Sequence, residues 1–278
     1  MEARLAADAA TFRDLVFGFL REDPVLNSIL LTTVDQLASG AVEGPAVLVS
    51  VHDGGDLAGV AVRTALRGLL LGGLPAAAAP LVADTLAGGV RAADGLPGVD
   101  GTDDAALAFA ERWTALRGGT YEAGRRTRLH RLGRLVVPPA PGAPRQASYD
   151  DVALIARWTR DFETEVGLPA TGTNEDWATR HVAAGLAWLW DDGGTTVSLV
   201  TRKATVAGAS RIGPVYTPPA LRGRGYAGAL TAHVSRVVLD EGARACLYTD
   251  LANPTSNRLY AAIGYEPVAD FTEYLLHP

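Results

Sequence analysis

Cysteine and lysine are almost missing from this 278-residue chain, with Cys246 and Lys203 the single example of each. One cysteine excludes an intrachain disulfide and any cysteine-rich metal centre, and it fits a reducing compartment. Cys246 lies in the apolar run Ala245-Cys246-Leu247-Tyr248, which reads as a buried structural thiol rather than a nucleophile. The five histidines are scattered, and no His-x-x-x-His or Glu-x-x-His spacing points to a metal. An excess of positive charge is lacking too: the net charge is −6, so no global field favours nucleic acid or an anionic membrane. Long apolar runs are absent. Residues 69–86 are interrupted by Gly and Pro, and residues 1–22 carry Glu, Asp and Arg instead of a signal-peptide core. The expectation is a cytoplasmic protein without membrane or nucleic-acid partners. Its 48 % hydrophobic content supports a packed core in one large or two modest domains.

Proline is concentrated in one place. Pro138, Pro139, Pro141 and Pro144 fix φ and remove backbone donors, so residues 138–147 read as an extended linker between 1–137 and 148–278. In the second part, Val152, Ile155, Ala156, Trp158 and Phe162 recur at helical spacing over 149–165, with Ser148 as N-cap. Further elements are a helix from 174 to about 185, strands at 187–190, 195–202 and 205–215, and a helix ending near Gly242. A strand at 245–250, a helix at 254–263 and a final strand at 265–276 follow. The first part has a similar cadence: helices at 9–21 and 25–38, and strands at 46–52, 57–64 and 68–71. Helices at 75–87 and 103–116 and a strand at 127–137 complete it.

Between the strand ending at Val215 and the helix that follows lies Arg222-Gly223-Arg224-Gly225-Tyr226-Ala227-Gly228. A strand, a glycine-rich turn and a helix N-terminus expose backbone N–H groups to a phosphate. The turn is not a P-loop, because no Gly-Lys-Ser/Thr ending is present. An NAD-binding fingerprint fares poorly as well, since no acidic residue closes a second strand at the expected distance.

The spacing Arg222-x-x-Gly225-x-Ala227 resembles the acyl-CoA signature of the GNAT superfamily of N-acetyltransferases. Asn253-Pro254-Thr255-Ser256-Asn257-Arg258-Leu259-Tyr260-Ala261-Ala262-Ile263-Gly264-Tyr265 is similar to that superfamily's second segment, one helix and one strand later. The wording from Gly213 to Pro219 is similar to the branch that includes glycine N-acyltransferase-like proteins. The resemblance covers about residues 149–276. Together with the similar cadence of the first part, it implies an α/β (α+β) architecture of two mixed-sheet GNAT domains in tandem, the first degenerate. In the first, Gly72-Gly73-Leu74-Pro75 stands where the turn belongs, and Pro75 removes an amide.

The resemblance also assigns roles. Amides from Gly223 to Gly228, Tyr226 among them, would face the pyrophosphate, with Arg222 and Arg224 adding positive charge. Gly225 and Ala227 are small enough for close approach. The backbone of Val215, Tyr216 and Thr217 would carry pantetheine like an added strand. Asn253, Ser256 and Asn257 would contact the cofactor, and Tyr260 would protonate the departing thiolate. Pro218 and Pro219 would end strand pairing where the chain must leave room. Asp161, Glu163, Glu165, Tyr216 and Asp250 are candidates for deprotonating the amine, and for each carboxylate a solvated surface position is the competing reading.

The leading expectation is an acetyl-CoA-dependent N-acetyltransferase with no metal. Its acceptor would be a small-molecule or peptide amine, placed between the halves or over the Trp158 and Trp188 regions. The alternative is a non-catalytic acyl-CoA-binding or sensing module. A tandem arrangement is compatible with a monomer.

Overall fold

The computed structural model describes residues 1–65, 68–88, 95–168 and 174–278. The chain runs β1 (Glu2–Ala6), α1 (Ala9–Leu20), α2 (Ser28–Ala38), β2 (Val47–Asp53), β3 (Asp56–Arg63), β4 (Leu69–Gly72), α3 (Ala79–Ala87), β5 (Gly98–Thr102), α4 (Asp103–Arg117) and β6 (Thr120–Leu132). It continues with β7 (Ala143–Gln146), α5 (Val152–Glu165), α6 (Asn174–Ala183), β8 (Ala187–Asp192), β9 (Thr195–Arg202) and β10 (Ala209–Tyr216). The last elements are α7 (Tyr226–Asp240), β11 (Arg244–Asp250), α8 (Pro254–Ile263) and β12 (Tyr265–His277).

Two compact units result. Unit 1 comprises Met1–Leu129, Thr249–Asn253 and Pro267–Pro278; unit 2 comprises His130–Tyr248 and Pro254–Glu266. This differs from a division at 138–147 in two ways. The Pro-rich stretch lies inside unit 2, and the last twelve residues return to unit 1. The reason for the return is backbone pairing. β12 runs antiparallel to β5, from Phe271 opposite Thr102 to Leu275 opposite Gly98. Side chains reinforce it: Arg128 grips Asp270 with two bonds of 2.6 and 2.7 Å, and the Thr272 hydroxyl donates to Asp103 at 2.7 Å.

In unit 1 the strand order is β1-β2-β3-β4-β5-β12-β6. β4 and β5 are parallel and paired only at Leu69 and Leu70. Val49, Val51, Leu69, Val82, Leu86 and Phe109 form its core. In unit 2 the order is β11-β10-β9-β8-β7, with β10 and β11 parallel. Alternation along β9 sends Leu199 to one face, with Ile155, Trp158 and Ala178 of α5 and α6, and Val200 to the other, with Leu230, Val234 and Val238 of α7. Ser148 and Asp151 form the capping box that starts the α5 region.

β1, β5 and β7 are strands that hydrophobic periodicity does not announce. β1 is an exposed edge strand, and β7 is an edge strand that accommodates Pro144. β5 reads Gly-Val-Asp-Gly-Thr, which has the composition of a turn. Its glycines are used for closeness instead: a Cβ on Gly98 would lie 2.7 Å from the Tyr274 carbonyl oxygen.

Candidate functional site

The site begins where β10 leaves β11. The two strands pair only from Ala209 opposite Arg244 to Arg211 opposite Cys246, and no further β10–β11 register exists among the described residues. A shift in the β9–β10 register between Ile212 and Val215 marks a bulge at Gly213-Pro214. A bulge bends its strand and interrupts the ladder, so the departure starts before Pro218 and Pro219 are reached. Pairing with β11 thus ends well before the two prolines, while the ladder with β9 runs to Tyr216, two residues short of Pro218. Past it, Val215 is half-buried, and Tyr216 and Thr217 are buried. The Ser198 hydroxyl lies within hydrogen-bond distance of both the Tyr216 carbonyl (3.2 Å) and the Thr217 hydroxyl (2.8 Å), which fixes the strand end.

A 3-10 turn at Pro219–Leu221 then leads into the glycine turn. Gly223 and Gly225 adopt φ of +79° and +85°, a region that favours glycine. Positive φ at alternate residues gathers successive N–H groups into a concave surface suited to an anion. Arg222, Gly223, Arg224 and Gly225 are exposed. The first backbone bond of α7 runs from the Ala229 N–H to the Gly225 carbonyl at 3.0 Å, so the amides of Tyr226, Ala227 and Gly228 precede the helical ladder.

Two side chains of the turn are committed to protein contacts. Arg222 donates through Nε to the Thr217 carbonyl at 2.8 Å and through Nη2 to Glu165 at 2.6 Å. It thereby ties the turn to the end of β10 and to α5. Tyr226 is buried, and its hydroxyl donates to Asp192, which raises the phenol pKa. What Tyr226 leaves to a ligand is its backbone. Arg224 is exposed at the tip.

Asn253 immediately precedes α8, and its N–H donates to the Asp250 carbonyl at 3.0 Å. Ser256 and Asn257 are half-buried on the first turn of α8. Tyr260 is 8 % exposed and shares a core cluster with Tyr226, Leu230 and Leu247. Its ring meets Tyr265 edge-on at 6.1 Å, and burial pushes its phenol pKa upward. Among the base candidates, Glu165 is paired with Arg222, Glu163 accepts from Asn174 at 3.2 Å, and Asp250 accepts from the Ala252 N–H at 2.7 Å. Tyr216 has its pKa raised, by burial first and then by Asp161 and Glu165. Trp158 packs against Tyr216 at 6.0 Å, and Cys246 is fully buried. No group of three or more potential metal ligands occurs among the described residues. No helix among them is long and apolar enough to cross a membrane.

Three residues matter to the turn in a way the sequence does not mark: Pro138 and Pro139, which read there as linker, and Trp190. A Cβ at Gly225 would lie 3.0 Å from the Pro139 carbonyl oxygen, and one at Gly228 would lie 3.2 Å from Pro138 Cγ. Smallness at both positions therefore has a packing cause inside the protein.

In unit 1 the corresponding position is different. β4 leaves β5 after Leu70, but Gly72-Gly73-Leu74-Pro75 leads directly into a 3-10 turn and α3, without the arginines. A cavity of about 270 Å³ lies there, lined in part by Asn27, Leu74, Thr102 and Phe271.

A mixed sheet with one splayed parallel pair, followed in unit 2 by an anion-ready turn and helix, is the GNAT fold, and it occurs here in tandem, the first copy without that turn. Residues 192–275 match the family model described as FR47-like protein. A GNAT-family acetyltransferase from Colwellia psychrerythraea superposes over 100 % of both chains at a TM-score of 0.64 and 10 % identity. A GCN5-related N-acetyltransferase from Sphaerobacter thermophilus covers 99 % of this chain and 95 % of its own, at 0.60 and 21 % identity. A tandem GNAT protein from the clavulanic acid biosynthesis pathway covers 99 % and 98 %, at 0.58 and 14 % identity. No curated protein sequence matches the chain.

Proposed function

We propose that this chain is an acetyl-CoA-dependent N-acetyltransferase that moves an acetyl group from the thioester to a primary amine by direct attack. The observation that carries the reading is the departure of β10 from β11 at Arg211, followed directly by the Gly223–Gly225 turn and the N-terminus of α7. The free edge of β10 fits an extended, amide-bearing arm, bonded by the backbone of Val215 and Thr217. The turn and the first amides of α7 fit a pyrophosphate. Bound acetyl-CoA supplies the activated carbonyl and a thiolate leaving group. Tyr260, buried and protonated at neutral pH, donates its proton to the departing sulfur and recovers one from solvent. Asn253, Ser256 and Asn257 position the arm. The acceptor is a small-molecule or peptide amine, brought to the carbonyl by proximity rather than through a covalent enzyme intermediate.

One observation favours a second reading, a non-catalytic acyl-CoA-binding module: three of the carboxylates suited to act as base are held by partners. Calorimetry of the full chain with CoA, combined with free-thiol release from acetyl-CoA over an amine panel, separates the two. One CoA per chain and amine-dependent thiol release support the enzyme. Binding without release supports the module. No binding overturns both.

A further inference from the structure

We infer that residues 138–141 form a brace for the anion-binding turn, with Trp190 as its anchoring, positioning residue; this rests on the acyl-CoA reading of that turn. The segment is tied at both ends. On one side the Val136 N–H donates to the Ile263 carbonyl at 2.8 Å, at the end of the helix that carries Tyr260. On the other the Trp190 indole N–H donates to the Pro141 carbonyl at 2.7 Å. Gly142, at φ +90°, then brings the backbone onto β8, where a Cβ would lie 2.1 Å from the Asp191 carbonyl oxygen. Between the ties, the Pro139 carbonyl abuts Gly225, the Pro138 ring abuts Gly228, and Ala140 packs against the unit 2 core.

The composition suits a brace. Proline fixes φ, so a span holding Pro138, Pro139 and Pro141 resists bending where a flexible linker would not. Proline also lacks an N–H, so of residues 138–141 only Ala140 brings a backbone donor to the helix end. Gly225 is the N-cap of α7 and sits in the left-handed region, a conformation that surrounding contacts have to hold. Holding the turn in its bound shape before the anion arrives removes an ordering cost from binding. Trp190 touches no ligand in this scheme; it acts through Pro141.

Trp190→Phe keeps an aromatic side chain and removes the indole donor, with some loss of buried volume at β8. One lost hydrogen bond of this kind is expected to weaken CoA binding about three- to ten-fold. Binding of pantetheine, which has no phosphates, is expected to stay unchanged, and amide exchange is expected to rise at Ala229, whose N–H bonds the Gly225 carbonyl of the turn, while β9 keeps its protection. Pro139→Gly, which loosens the span without touching the core, should act in the same direction. Unchanged CoA affinity and unchanged exchange at the turn in both folded variants would overturn the brace. Equal weakening of CoA and pantetheine with exchange rising throughout unit 2 would also overturn it, by showing a general core role. If the wild-type chain binds no CoA, the acyl-CoA reading fails, while exchange at the turn still tests the brace alone.

Discussion

At the scale of single residues, the site combines side chains in two kinds of use. Tyr260 is protonated across neutral pH because desolvation disfavours the phenolate; the same burial makes it a weaker acid, so its proton transfer relies on the negative charge that develops on the departing sulfur. Tyr260→Phe is expected to lower turnover by about 10²-fold while CoA affinity, measured by calorimetry, stays the same. Turnover within two-fold of wild type at saturating substrates removes Tyr260 from the role of acid. Arg222 and Glu165 are in the other kind of use, fastening the turn to α5. An exposed pair of this type contributes only about 0–1 kcal/mol to stability, so its value lies in orientation. Glu165→Gln should therefore leave the acid limb of the pH–rate profile in place. Disappearance of that limb would identify Glu165 as the base instead. The sequence marks Arg222, Gly225 and Tyr260 by spacing, but spacing is silent on direction. Nothing in the letters says that Arg222 turns back to Thr217 and Glu165, or that the Pro139 carbonyl lies close against Gly225.

At the scale of elements, the link between β7 and α5 is an ionic one. Arg145 on β7 donates to Asp151 at 2.7 and 2.8 Å and to Asp191 at 2.7 Å. The Arg145 guanidinium, aided by the Ser148 amide and hydroxyl and opposed by burial, holds the Asp151 carboxyl at about 2. A depressed carboxylate stabilises the fold above its ordinary pKa and ceases to do so as pH falls through the folded value. The contribution is thus present above about pH 4 and lost toward pH 2, with a size on the order of 2 kcal/mol. Denaturant titrations at pH 5 and pH 2.5 should show Asp151→Asn losing less stability than wild type over that interval. An equal loss in both would remove Asp151 from this account. The amphipathic helices are legible because one face of each meets a core, and β2, β3 and β9 are legible as short, largely apolar runs buried on both faces. β5 and β7 are not. Their strand character is conferred by β12 and β8 beside them, through backbone bonds that glycine and an edge proline permit.

At the scale of the whole molecule, two copies of one fold differ in one turn. The tandem is visible in the order of elements, and the loss of the Arg-Gly turn in unit 1 is visible in Gly72-Gly73-Leu74-Pro75. The chain's return to unit 1 is not, because pairing between Phe271 and Thr102 links positions far apart in sequence without a local pattern. Deleting residues 267–278 removes the strand that lies beside β5, together with Leu276 from the unit 1 core. The expected outcome is loss of the unit 1 unfolding transition with unit 2 still folded, read by hydrogen exchange resolved along the chain. Full protection of β5 in the truncated chain would contradict it.

The placement of that last strand also sets an order in time. During synthesis the segment from β1 to β6 emerges first, yet it lacks its neighbour for β5 until residues 271–275 have left the ribosome. The half of the protein made first is the half completed last. In the interval β5 presents an unfilled edge, and the terminal strand of another chain has the same sequence as the missing one. An unfilled edge of this kind is where strand exchange between neighbouring nascent chains begins in general, and pairing of β12 with β5 closes it.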